Sequence, residues 1–342
     1  MRTPKYLSPT SISKFYDDRQ EFYLNYLADN RPPRMPQTQP MSVGSAFDAY
    51  VKSYIVEKLF GAGVKDQFDF QTIFEEQVEE HNRDWALGAG KYCFNAYKAS
   101  GALADLMSEL ELAVEEPQFE ITVQNNVSHH MFVGAVNFLG KPDIWYVNRL
   151  KHNVIVDWKV NGFCGRNATS PKRGYLMCRD GWDGELMKPS RNNGAPHKDA
   201  ISEIVGGLAI NTAFPFEQVD KGWAAQVSIY QWVLGATVGS DAIVGIDQLC
   251  AKPVGAKYPM IRVAEHRGIV SKEFQNELYK KAHHIWNLVT NVEEGQFPHI
   301  FDELSKEEND ERCASLDGYA DAFKGESSKD KWLQDITRQH KF

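Results

Sequence analysis

Asp143, Asp157 and Lys159 are the residues whose types and spacing could do chemistry. Asp157 and Lys159 close the apolar run Val154-Ile155-Val156, which reads as a buried strand. Residues i and i+2 of a strand project to one face, so the carboxylate and the ammonium stand side by side. Asp143 follows Pro142 at the start of the short apolar segment Ile144 to Val147, and the turn 148–153 returns that segment to the next. The hairpin therefore brings Asp143 toward Asp157. Two converging carboxylates are the hard oxygen ligands that Mg²⁺ or Mn²⁺ prefers, with positions left open for water and a phosphate oxygen. A lysine beside them can orient the attacking water and offset charge on a phosphoryl transition state. An Asp and a Lys at an exposed strand end would be a plain ion pair. What sets this pair apart is the buried strand before it and the second aspartate one hairpin earlier.

Several elements must position these groups. Ile12, Phe15, Tyr16, Phe22, Tyr23 and Tyr26 share one helical face, which predicts a helix from Ser11 to Ala28. The prolines at 32, 33, 36 and 40 predict an extended connector over Asp29 to Ser42. A second helix is expected over Val43 to Phe60, and helical segments over 72–112 with breaks near Gly88, Gly90 and Gly101. The period then shifts toward strands at Phe119 to Gln124, His130 to Leu139, Ile144 to Val147 and Val154 to Trp158. After an irregular stretch come a helix at Gly222 to Gly235, strands at Val244 to Ala251 and Met260 to Val270, and a helix from Ser271 to about Glu294. A polar tail follows from residue 301, with a short helix expected at Lys331 to Gln339. The expected architecture is mixed α/β, a small sheet flanked by helices.

Composition bounds the function. The chain has 342 residues, 42% hydrophobic and 25% charged, which is ordinary globular usage rather than disorder. No apolar stretch approaches a membrane span, and the first thirteen residues lack the apolar core of a secretory signal. Cys93, Cys164, Cys178, Cys250 and Cys313 form no C-x-x-C pair, so reduced thiols and a cytoplasmic setting are expected. A net charge of −8 argues against a generic nucleic-acid coat but allows one locally basic groove. Such a groove is offered by residues 162–198, where Arg166, Lys172, Arg173, Arg179, Lys188, Arg191 and Lys198 outnumber Asp180, Asp183 and Glu185. Lys172, Arg173 and Arg179 are the expected DNA-phosphate contacts, with Tyr175 or Trp182 able to stack on a base; a solvated surface loop is the equally weighted alternative. The pairs His129-His130 and His283-His284 have no zinc spacing and read as ordinary histidines.

Taken together, the motifs resemble the PD-(D/E)XK nuclease superfamily, in particular its RecB-like branch. Gly140-Lys141-Pro142-Asp143 is similar to that branch's G-x-x-D motif, Val154 through Lys159 to its hydrophobic-run-D-x-K motif, and Gln226 to Tyr230 to its Q-x-x-x-Y motif. Leu7 to Phe15 resembles its opening helix. Gly44-Ser45-Ala46-Phe47-Asp48 stands where the branch carries G-x-x-x-H, with Asp48 in place of the histidine. The resemblance covers roughly residues 7–300. It implies one nuclease domain over 1–300, with a helical part at 1–112, an α-β-β-β-α-β restriction-endonuclease-like core at about 113–270 and the basic insertion 162–198. It further implies Asp143, Asp157 and Asp48 as ligands of Mg²⁺ or Mn²⁺, Lys159 as the catalytic lysine, and Gln226 and Tyr230 as supporting residues. The implied activity is a metal-dependent DNA nuclease, most similar to a phage-type exonuclease working in DNA recombination, repair or processing, in the host cytoplasm if phage-encoded. The alternative is a nuclease-fold binding or assembly module without efficient turnover. The cysteines cannot supply the iron–sulfur cluster of some relatives. No G-x-x-x-x-G-K-[ST] loop is present, so ATP use is not expected. DNA is the expected partner, with a separate recombination protein or helicase as a further one.

Overall fold

The computed structural model describes residues 2–29, 31–161, 177–181, 202–205, 208–252 and 260–290. Helices come first: α1 (Pro9–Asp17), α2 (Arg19–Phe22) and a π turn (Tyr23–Leu27), then α3 (Gln39–Phe60), α4 (Phe70–Gln77), α5 (Arg83–Ala99) and α6 (Ala102–Glu111). Strands follow: β1 (Gln118–Phe119), β2 (Val123–Ser128), β3 (Ala135–Gly140), β4 (Ile144–Val147), β5 (Asn153–Asn161), β6 (Met177–Asp180), β7 (Ser202–Val205) and β8 (Leu208–Asn211). The chain continues through α7 (Lys221–Val233), β9 (Ile243–Lys252), β10 (Met260–Gly268) and α8 (Lys272–Thr290).

The helix expected over Ser11 to Ala28 is instead broken at Asp18. A Ser8/Ser11 capping box starts α1. Asp18 then turns extended and its carboxylate accepts the Glu21 N–H at 3.0 Å, so it serves as N-cap of α2. The break expected near Gly88 and Gly90 does not occur: α5 runs through both. Gly90 serves helix packing, because a Cβ there would lie 2.5 Å from the Cβ of Ala46 on α3. The break at Gly101 is present, with φ +87°. Pro40 sits in the first turn of α3 rather than in the connector, a position where its missing N–H costs nothing. The strand expected from His130 begins only at Ala135. Residues 129–134 turn the chain from β2 to β3, with the Phe132 N–H donating to the His129 carbonyl and Gly134 at φ +87°.

The main sheet has the order β1-β4-β5-β9-β10-β6. β5 and β9 are parallel and α7 lies in the connection between them; the other neighbours are antiparallel. A small mixed sheet flanked by helices is what the period changes predict. Val154, Val156 and Trp158 of β5 pack with α3 and α5 in the largest apolar cluster, while Val244 and Ile246 of β9 pack against Ala224 and Val227 of α7. Among the described residues no helix is long and apolar enough to cross a membrane. The predicted tail and most of the basic insertion lie outside the described residues.

A buried ionic network crosses the sheet beside β5. Asp247 accepts from the Arg267 guanidinium at 2.6 Å and from the Tyr97 hydroxyl at 2.5 Å. Glu265, 5% exposed, lies on the adjoining strand. Burial, then the nearby Asp247 charge, pushes the Glu265 carboxyl up to about 7. A carboxyl raised above its unfolded value of 4.5 favours folding when protonated, so its contribution is full below pH 4.5 and is lost as pH rises through about 7. Glu265→Gln should therefore stabilise the protein at pH 8 by on the order of 2 kcal/mol and change nothing at pH 4.5, read from urea unfolding at both pH values.

Candidate active site

Three elements deliver the acidic groups to one place. Buried Val43, Ala46, Phe47, Val51 and Ile55 fix the rotation of α3, so that Asp48 and Lys52, one turn apart, face the sheet. Pro142 and the start of β4 hold Asp143, whose Oδ2 accepts the Trp158 backbone N–H of β5 at 3.0 Å. The Trp158 indole N–H in turn reaches the Tyr97 hydroxyl at 3.4 Å, which ties β5 to the buried network. Asp157, buried at 2% exposure, projects from the opposite face of β5. It is ion-paired through Oδ2 with Lys159 and accepts at Oδ1 from Gln226 Nε2 at 3.3 Å. The same amide donates to the Tyr230 hydroxyl at 2.7 Å, as the i, i+4 spacing on α7 allows.

Asp48, Asp143, Asp157, Lys159, Gln226 and Tyr230 thus line one open cleft of about 290 Å³. Glu120 and Lys141, to which the sequence assigned no site role, also line it. Glu120 sits between β1 and β2 at φ +53°, unusual for a side chain with a Cβ, and its N–H donates to the Asp143 carbonyl at 3.2 Å. Behind the cleft wall, Lys52 has a fully buried side chain and contacts Asp48 Oδ2 at 2.5 Å, Asp143 Oδ1 at 3.2 Å and Glu120 Oε1. Lys141 pairs with the other Glu120 oxygen. Only the i, i+4 relation of Asp48 and Lys52 was available as a signal, since Glu120 and Lys52 are 68 residues apart.

The three carboxylates that gather are Asp48, Glu120 and Asp143, each offering an oxygen within 4.8 Å of the others. Of the expected set Asp48, Asp143 and Asp157, the first two fall in this group. Glu120 joins the group, and Asp157 stands beside it, engaged by Lys159 and Gln226. The donor set fits a hard divalent cation, and a cation, the Lys52 ammonium, already sits among the oxygens.

Electrostatics separates the two central aspartates. Burial, then the Asp143 charge, pushes the Asp157 carboxyl up to about 8 against the pull of Lys159. Burial opposes the charge of Asp143 as well, but Lys52 and Lys159 outweigh it and hold that carboxyl below the usual range. The two carboxyls titrate as a coupled pair, with Asp143 the more readily ionised of the two. Burial raises Asp48 to about 6, opposed by Lys52. Burial works against the charge of Lys159, yet Asp157 and Asp143 outweigh it, so its pKa is raised and it remains an ammonium.

Of the expected DNA contacts, Lys172 and Arg173 lie outside the described residues. Arg179 is on β6 at the far edge of the sheet, where its guanidinium donates to the Ser100 carbonyl at 3.1 Å and to Asp105 at 2.7 Å. An arginine so held ties β6 to the α5–α6 corner. His129 and His130 lie in the β2–β3 turn with ring centroids 4.4 Å apart. Among the described residues they join no metal-capable group.

No family model matches the chain, and no curated protein matches it. Among solved structures, the crystal structure of SSO0001 is similar over 81% of this chain and 84% of that one, with 10% identity and a TM-score of 0.24. A likeness at that level carries no inference about fold or function.

Proposed function

We propose that the protein is a metal-dependent nuclease that hydrolyses phosphodiester bonds in DNA, with the cleft between α3, β4, β5 and α7 as its active site. The observation that carries this reading is the meeting of Asp48, Glu120 and Asp143 with the Asp157–Lys159 pair in one open cleft. The parallel β5–β9 pair joined through α7, with Asp157 and Lys159 on β5 and Asp143 just ahead of β4, supports the PD-(D/E)XK core that the motifs resemble. Asp48, Glu120 and Asp143 would hold Mg²⁺ or Mn²⁺, with Asp157 adjoining. When bound, such an ion supplies Lewis-acid stabilisation of phosphate oxygens and a more acidic water.

The chain's own groups do the rest. Lys159 presents a positive charge to the phosphate and can donate a hydrogen bond that orients the attacking water. Gln226 holds Asp157 from the α7 side, and Tyr230 fixes the Gln226 amide. Lys141, half-exposed at the rim, offers a second positive charge to the approaching strand. Digestion of end-labelled linear DNA in Mg²⁺ or Mn²⁺, its absence in EDTA, and sparing of covalently closed circles would support an exonuclease.

The seating of Lys52 among the carboxylates favours a second reading, a nuclease-fold module that binds DNA without efficient turnover. DNA binding with no cleavage in either metal would select it.

A further inference from the structure

One cation already occupies the carboxylate group, and it belongs to the chain. The Lys52 side chain is fully buried, and its Nζ reaches Asp48, Glu120 and Asp143, each of the three residues that could share a metal ion. Lys159 pairs with Asp157 outside that group, and the half-exposed Lys141 touches Glu120 alone. A buried ammonium is tolerable only when its charge is compensated, and here three carboxylates do so. A divalent ion held among these three carboxylates, at about 2.0–2.1 Å from its ligand oxygens, would take the space that Nζ now fills. Two cations cannot share that position.

We propose that Lys52 is a built-in competitor for the metal: its ammonium occupies the carboxylate group until a divalent ion displaces it, and so sets the concentration at which the site loads. The proposal rests on the metal-dependent reading above. The Trp158 ring, with its centroid 5.9 Å from Nζ, gives the displaced ammonium a π face to rest on. The expected size follows from population. If the ammonium is seated about nine-tenths of the time or more, apparent affinity is weakened about tenfold or more, and removing it restores that factor.

Mn²⁺ alone is titrated by calorimetry into the full chain, as wild type and Lys52→Met, with folding checked by circular dichroism. Lys52→Gln, which keeps an N–H donor toward the carboxylates, serves if the methionine variant does not fold. Binding about tenfold or more tighter in the variant, or binding in the variant alone, is the expected result. Equal or weaker binding in the variant overturns the proposal and leaves the metal reading standing. Binding in neither protein overturns the metal reading, and the proposal with it. Asp143→Ala in the Lys52→Met background should abolish the gain; a gain that survives places the ion elsewhere and overturns the proposal.

Discussion

Asp143→Asn should lower metal-dependent DNA cleavage by about 10³-fold or more, equivalent to about 4 kcal/mol of transition-state stabilisation. Asp143 is the residue on which the two halves of the cleft converge. Its Oδ1 faces Lys52 within the three-carboxylate group, and its Oδ2 accepts the Trp158 N–H of the strand that carries Asp157 and Lys159. Asparagine keeps an oxygen for the Trp158 N–H, so the fold should hold. It removes the charge that a divalent ion and both neighbouring ammoniums require. The substitution has a second consequence that can be measured without any metal. Because the Asp143 charge helps to raise the Asp157 carboxyl to about 8, its loss should bring the Asp157 titration down, as carbon-detected NMR can follow. Retained cleavage, with the Asp157 titration unmoved, would mean that the two aspartates do not act together.

Lys159→Met should reduce kcat by about 10²-fold while leaving Mn²⁺ affinity nearly unchanged, because lysine supplies no ligand oxygen. Asp157 and Asp143 keep this group protonated despite burial, so its contribution is charge and hydrogen bonding rather than proton abstraction. Lys159→Arg retains the charge but replaces a compact ammonium with a planar fork, and should recover only part of the rate. An effect confined to KM would assign Lys159 to DNA binding.

The parts legible in the sequence were those governed by short-range rules. Alternation and β-branching marked β4, β5 and β9, and the i, i+4 spacing put Gln226 and Tyr230 on one face of α7. Hairpin connectivity brought Asp143 to Asp157. The misreadings arose where tertiary contacts decide. Gly90 looked like a helix breaker but exists because α3 and α5 approach closely there. Asp18 looked like one more polar helix residue, yet its carboxylate caps a new helix. Glu120 carries no spacing signal toward Asp48 or Asp143, because a left-handed backbone turn and the fold of the sheet bring it in. Lys52 was readable as a partner of Asp48 one turn away, but its role in three ion pairs depends on β4 and on the β1–β2 loop.

The most direct measurement is a single gel of end-labelled linear DNA incubated with wild type or Asp143→Asn, each in Mn²⁺ and in EDTA. Degradation by wild type in Mn²⁺ alone is the predicted result, with the other three lanes intact. Cleavage that persists in EDTA, or that the variant performs as well as wild type, would contradict a metal-dependent nuclease centred on this cleft.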